Sequence, residues 1–172
     1  MSRVLLTGAT GYIGSHVAVE LVNAGYDVIG VDNFSNSTPK VLDGIEKIIG
    51  KRIDFMEVDC TDYNAFEKVF EQYPDIEAAI HFAAYKAVGE SVAEPIKYYR
   101  NNLDSLVNLI ELMTLKAKGA NVVFSSSATV YGQPADDELP IKESTPLQPA
   151  TSPFQQAYLY IDVSNVAFLQ PP

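Results

Sequence analysis

The chain has 172 residues, 47% of them apolar and 20% charged, a balance that suits one globular domain and not a disordered chain. It carries 22 acids against 12 bases, a net charge of −10, with no dense Lys/Arg run, which argues against nucleic acid or an anionic membrane surface as partner. An anionic small molecule stays open, because backbone N–H groups bind phosphate without a positive total charge.

In chain order, Arg3 to Thr7 reads as a short apolar strand. Tyr12 to Ala24 reads as a helix with Ile13, Val17, Leu21 and Val22 on one face, stopped at Gly25. Asp27 to Asp32 is a second buried strand, and Asn33 to Pro39 a polar turn. Pro39 to Ile49 is helical and Ile53 to Val58 a third strand. Thr61 to Gln72 is a capped helix with Thr61 or Asp62 as N-cap, and Glu77 to Phe82 is the fourth strand. Pro95 to Lys118 reads as one long helix carrying Leu103, Leu106, Leu109, Ile110 and Met113, ended by Gly119 before a fifth strand over Asn121 to Ser125. Strands separated by helices imply right-handed crossovers and a doubly wound parallel α/β sheet. From Gln133 to Pro153, five prolines and several acids mark an irregular loop. Phe154 to Pro172 has no clear period, so the domain is drawn over 1–153 with a divergent tail over 154–172.

The single cysteine, Cys60, has no partner for an internal disulfide, which suits a reducing compartment. The first apolar run, Val4 to Leu6, stops at Thr7 and Gly8, too short for a signal peptide, and no segment approaches the ~20 apolar residues of a membrane span. A cytoplasmic protein is expected. Metal ligands at usable spacing are absent, so no metal site is expected. His16 and His81 read as surface or packed histidines.

Gly8-Ala9-Thr10-Gly11-Tyr12-Ile13-Gly14 lies between the first strand and the first helix. A turn this tight needs a residue without Cβ at Gly8. Gly11 admits a pyrophosphate to the helix N-terminus, where unpaired N–H groups and the dipole favour anions, and Gly14 lets helix and strand pack closely. Asp32 ends the second strand, 18 positions beyond Gly14. A carboxylate there accepts both ribose hydroxyls and repels a 2′-phosphate, so NAD is expected in preference to NADP.

Thr7 to His16 resembles the opening of the UDP-glucose 4-epimerase family, within the extended short-chain dehydrogenases/reductases. Four later segments agree: Asp32 to Ser37, His81 to Ser91, Tyr98 to Asn102, and Phe124 to Gly132. The string Lys86-Ala87-Val88-Gly89-Glu90-Ser91 points to the epimerases over related sugar-nucleotide dehydratases or reductases. The resemblance implies that Tyr12 and Ile13 help hold the cofactor, and that Asp32, Asn33, Asn36 and Ser37 bind the adenosine ribose. It further implies that Asp59 and Cys60 flank the adenine, and that Phe82, Ala83, Ala84 and Lys86 line the cofactor. Asn101 would support the nicotinamide side, with Ser125 at the end of the fifth strand. Lys86, Ser127 and Thr129 would face a UDP-sugar. Bland alternatives stand beside these: Asp59 as a helix cap, Lys86 as a solvated lysine, Ser125 to Ser127 as a plain strand-to-loop transition.

The activity implied is inversion at sugar C4 through a 4-keto intermediate, interconverting UDP-glucose and UDP-galactose. Ser127 matches the family's catalytic serine. The family's tyrosine follows Ser-Pro, with a lysine four residues later; here Thr151-Ser152-Pro153 is followed by Phe154, and Tyr158 holds the lysine position. Phe154 has no hydroxyl and Tyr158 no ammonium. Losing a positioned acid/base typically costs ~10²–10⁴-fold. The abrupt end of the resemblance leads to the expectation of a truncated or frame-shifted epimerase, or of a chain whose end is incompletely represented. A non-catalytic NAD-binding module is the alternative. A homodimer is implied by the family alone.

Overall fold

The computed structural model describes residues 2–132, 134, 135 and 139–148. These fall into two compact units, one of residues 2–84 and 104–125, the other of 85–103 and those from 126 onward.

The first unit is a parallel sheet of β1 (Arg3–Thr7), β2 (Asp27–Asp32), β3 (Asp54–Glu57), β4 (Ile76–His81) and β5 (Asn121–Phe124), in the order β3-β2-β1-β4-β5. The order reverses beside β1, as in a doubly wound sheet. Register places Ile29, Leu5, Ala79 and Val122 in one row across four strands. Side chains alternate along a strand, so neighbours in sequence serve opposite faces. Leu5 packs with Phe66, Val69, Leu109 and Leu112 on one face. Leu6 packs with Ala18, Leu42 and Ile45 on the other. Helices α1 (Tyr12–Asn23) and α2 (Lys40–Ile49) therefore cover one side, and α3 (Tyr63–Gln72) covers the other together with the last helix before β5. Asp62, not Thr61, caps α3, accepting from the Ala65 amide at 3.1 Å.

The first two strands keep the bounds expected from sequence, and the other three shift by one residue at one or both ends. The larger correction concerns the helix expected over 95–118. It is divided into α5 (Pro95–Tyr99), a π-helical turn (Arg100–Asp104) and α6 (Ser105–Lys116), and a short helix not expected from the sequence, α4 (Val88–Ala93), precedes it. In numbering by chain order α4 and α5 belong to the second unit and α6 to the first. The second unit also holds a 3₁₀ turn, Ala128–Tyr131. Among the described residues no helix is long and apolar enough to cross a membrane.

Candidate functional site

β1 delivers the chain to Gly8, whose φ of +68° lies in the left-handed region that an L side chain rarely adopts. A Cβ there would stand 2.8 Å from the Ala83 nitrogen and 2.8 Å from the Phe82 carbonyl carbon. The Gly11 amide closes the turn on the Gly8 carbonyl at 3.1 Å. Gly14 lies under the same carbonyl, and its Cβ would come within 2.1 Å of the Gly8 oxygen. The close approach at Gly14 is thus to the loop itself, where sequence reasoning placed the strand. Gly11 caps α1 with no side-chain hydrogen bond, and the first turn contains no acid. That leaves the positive end of the dipole to an external anion. Tyr12 and Ile13, 85% and 47% exposed, stand at this end.

Asp32, at the end of β2, is buried. Its Oδ2 accepts from the Thr10 amide and its Oδ1 from the Phe34 amide, each at 3.0 Å. A carboxylate has about four lone-pair sites, so acceptor capacity remains on both oxygens. Thr10 Oγ1 meets Ser37 Oγ at 2.6 Å, tying the glycine loop to the turn after β2. In that turn Asn33 Nδ2 donates to Asp59 Oδ2 at 3.0 Å, while Asn36 is exposed. Partial desolvation works to raise the Asp59 pKa. Hydrogen bonds from the Thr61 hydroxyl, the Thr61 amide and Asn33 outweigh it and hold the carboxyl below its usual range. Asp59 is no helix cap, since Asp62 fills that place. The Cys60 side chain turns into the core, and burial pushes its thiol far up. Its carbonyl accepts from Asn108 Nδ2 at 2.9 Å.

At the end of β4, His81 is 2% exposed and its Nδ1 meets Thr7 Oγ1 at 2.8 Å. Burial holds its pKa down to about 4, so the ring is neutral at physiological pH. The Ala83 amide donates to the same Thr7 oxygen at 3.4 Å, which fixes the segment lying against Gly8. His81 is a packed histidine, and Phe82, Ala83 and Ala84 are half-buried beyond it. The Ser125 amide extends the sheet by donating to the His81 carbonyl at 3.2 Å.

In the second unit, Lys86 is exposed, yet desolvation lowers the pKa of its ammonium. Asn101 Nδ2 donates to Asn102 Oδ1 at 2.9 Å in the π-helical turn, a geometry frequent at functional sites. Ser127 caps the 3₁₀ turn, and its Oγ lies 2.9 Å from Thr129 Oγ1. An open cleft of about 500 Å³ is lined by Ser126, Ser127, Val130, Tyr131, Glu143, Thr145 and Leu147. Phe154 and Tyr158 lie outside the described residues. Among the described residues, no group of three His, Cys, Asp or Glu side chains could hold a metal ion.

Thr10, Glu90, Tyr98 and Asn102 lie in the segments shared with the family, but the sequence alone gives them no role. The available signals are a hydroxyl between two glycines, and an asparagine at the helical spacing of Leu106 and Leu109.

Together the strand order, the glycine-lined turn and the uncapped helix beside a buried aspartate define a dinucleotide-binding protein of the doubly wound class. Residues 5–170 match the family described as GDP-mannose 4,6 dehydratase, and the chain belongs to that family. Among curated relatives it is 49% identical over 161 residues to the UDP-glucose 4-epimerase of Schizosaccharomyces pombe, covering 92% of this chain and 44% of that protein. It is also 49% identical over 159 residues to that of Bacillus subtilis, covering 92% and 45%. Among solved structures it superposes on UDP-glucose 4-epimerase from Bifidobacterium longum, in complex with NAD+ and UDP. There the TM-score is 0.87 at 45% identity, covering 95% of this chain and 48% of that one. The epimerase resemblance read from the motifs therefore holds, and the chain spans under half the length of these relatives.

Proposed function

We propose that this chain binds NAD and supplies the cofactor-binding portion of a UDP-glucose 4-epimerase, acting between UDP-glucose and UDP-galactose. The observation that carries the reading is the Gly8-Gly11-Gly14 loop, closed to a Cβ at Gly8 and Gly14 and opening onto an uncapped helix, with Asp32 held in place by the Thr10 and Phe34 amides. These residues fit NAD. The α1 N-terminus takes the pyrophosphate, Asp32 accepts the ribose hydroxyls and opposes a 2′-phosphate, and Asn33, Asn36 and Ser37 complete the ribose side. Asp59 and the Cys60 backbone flank the adenine. Phe82, Ala83, Ala84, Lys86, Asn101 and Ser125 serve the remainder of the cofactor.

When bound, NAD supplies the acceptor and donor of hydride at sugar C4. Ser127 then hydrogen-bonds the sugar 4-hydroxyl, and Thr129, already 2.9 Å from its Oγ, keeps that hydroxyl oriented. Lys86, poised by desolvation to give up its proton more readily than a solvated lysine, presents its ammonium to cofactor and sugar. A homodimer in the cytoplasm, free of nucleic acid, belongs to the same reading.

Calorimetric titration with NAD and NADP tests the binding claim. Micromolar NAD binding with weaker NADP binding is expected, and equal affinities would overturn the role of Asp32. A second reading, an NAD-binding module without turnover, is favoured by one observation: Phe154 and Tyr158 stand where relatives' tyrosine and lysine are expected. Conversion of UDP-galactose to UDP-glucose separates the two. A rise in rate on Phe154→Tyr with Tyr158→Lys supports the epimerase, and absence of any rate in both forms supports the module.

A further inference from the structure

The segment bearing Lys86 is held at its backbone on both sides by side chains from the helical stretch that follows it. The Tyr85 amide donates to Asn102 Oδ1 at 2.9 Å, and Asn102 Nδ2 returns a hydrogen bond to the Tyr85 carbonyl at 3.0 Å. One residue past Lys86, the Ala87 amide donates to the Tyr98 hydroxyl at 3.2 Å. The Tyr98 hydroxyl in turn donates to Glu90 Oε2 at 2.7 Å. Its single proton is thereby committed, and its lone pairs are left to face Ala87. The other Glu90 oxygen accepts from Lys97 Nζ at 2.6 Å, and that ammonium lies 5.1 Å above the Tyr85 ring. Lys86 itself makes no hydrogen bond or ion pair among the described residues.

Tyr98 is fully buried and Asn102 is 3% exposed. Buried hydrogen bonds of this kind are strong when complete and costly when broken. These two buried polar side chains make their hydrogen bonds to the two residues that bracket Lys86, which fixes its Cα while its ammonium stays uncommitted. Four members of the string Tyr85 to Glu90 thus acquire a common purpose.

We infer that Asn102, Tyr98 and Glu90 are positioning residues for Lys86, Asn102 and Tyr98 gripping its flanking backbone and Glu90 setting the direction of the Tyr98 hydroxyl. The inference rests on the proposed role of Lys86 toward NAD, and two measurements on the full chain separate the clamp from that role. The first is amide hydrogen exchange without ligand. Tyr98→Phe should speed exchange at Ala87 about fivefold and leave Tyr85, held by Asn102, within about twofold. Glu90→Leu should reproduce this, and Glu90→Gln, which keeps an acceptor for the hydroxyl, should restore slow exchange. Unchanged exchange at Ala87 overturns the clamp.

The second is a double-mutant cycle on NAD affinity. Tyr98→Phe should weaken NAD about fivefold in the natural chain and less than about twofold when Lys86→Met is already present. An equal loss in both backgrounds makes Tyr98 a structural residue only and overturns the inference. If Lys86→Met leaves NAD affinity unchanged, the assignment of Lys86 to the cofactor fails, whatever the exchange data show of the clamp. Melting temperatures of all variants accompany both measurements, so that a general loss of fold is read as such.

Discussion

The glycine loop and the Lys86 segment solve the same problem by opposite means. Around Gly8 and Gly14 the backbone is packed against backbone, at 2.8 and 2.1 Å from where a Cβ would stand, so shape is set by side chains left out. Around Lys86 the backbone is held at hydrogen-bonding distance by side chains driven in, Asn102 and Tyr98. The first device tolerates no substitution, because backbone on the far side has nowhere to move. The second is graded, since each hydrogen bond can be lost singly.

Breaking that comparison starts with Gly14→Ala. A methyl group driven onto the Gly8 carbonyl should cost about 3 kcal/mol or more and abolish the heat of NAD binding, read by urea unfolding and calorimetry. A mild effect would show that the loop yields, and the contrast would collapse. Next comes His81, whose pKa falls from 6.5 to about 4 on burial. The unfolded chain takes up a proton near pH 6.5 that the folded chain refuses until about pH 4. Stability contributed by the neutral ring is therefore complete above 6.5 and is lost as pH falls toward 4, by an amount on the order of 3 kcal/mol. Unfolding free energies at pH 7.5, 6 and 5 should fall more steeply for the natural chain than for His81→Asn. Identical slopes would show that His81 is not the group responsible.

Asp32→Asn sharpens the same contrast. It keeps one acceptor oxygen and sets an amide group against the N–H of Thr10 or Phe34. A loss of about 1–2 kcal/mol is expected, with NAD about tenfold weaker and the preference over NADP gone. The smallest effect belongs to the 3₁₀ turn. Ser127→Ala removes its cap and the partner of Thr129, for about 1 kcal/mol by thermal melting. A larger loss would place this turn with the glycine loop as a site that accepts no change.

The first of these regions was legible in the sequence because its chemistry is written in residues with one use. Gly8, Gly11, Gly14 and Asp32 in order, between two apolar strands, leave few alternatives, and the doubly wound sheet follows from the alternation around them. The second was less so. The break at Arg100–Asp104 is invisible to apolar periodicity, since Leu103, Leu106 and Leu109 keep helical spacing through it and only the hydrogen-bond pattern widens. Helix α4 is six residues long, too short for a period to show. Thr10 and Asn102 act through partners 22 and 17 positions away, Asp32 and Tyr85, and no local rule reaches that far. The resemblance implies a cofactor role for both Asp59 and Asn33, but their mutual hydrogen bond, across 26 positions, appears only once β2 and β3 lie side by side.

Cys60 sits among Phe66, Val69 and Leu109 in the core, and it is the only cysteine in the chain. A thiol reagent added to the folded protein must wait for that core to open. With reagent concentrated enough to react faster than the core recloses, the rate of labelling counts openings, with no engineered probe. Because the same core backs Leu5 and Val31, on the strands that lead into the glycine loop and Asp32, ligand added during labelling should slow the count. The protein thus carries its own clock for the event that NAD binding would suppress.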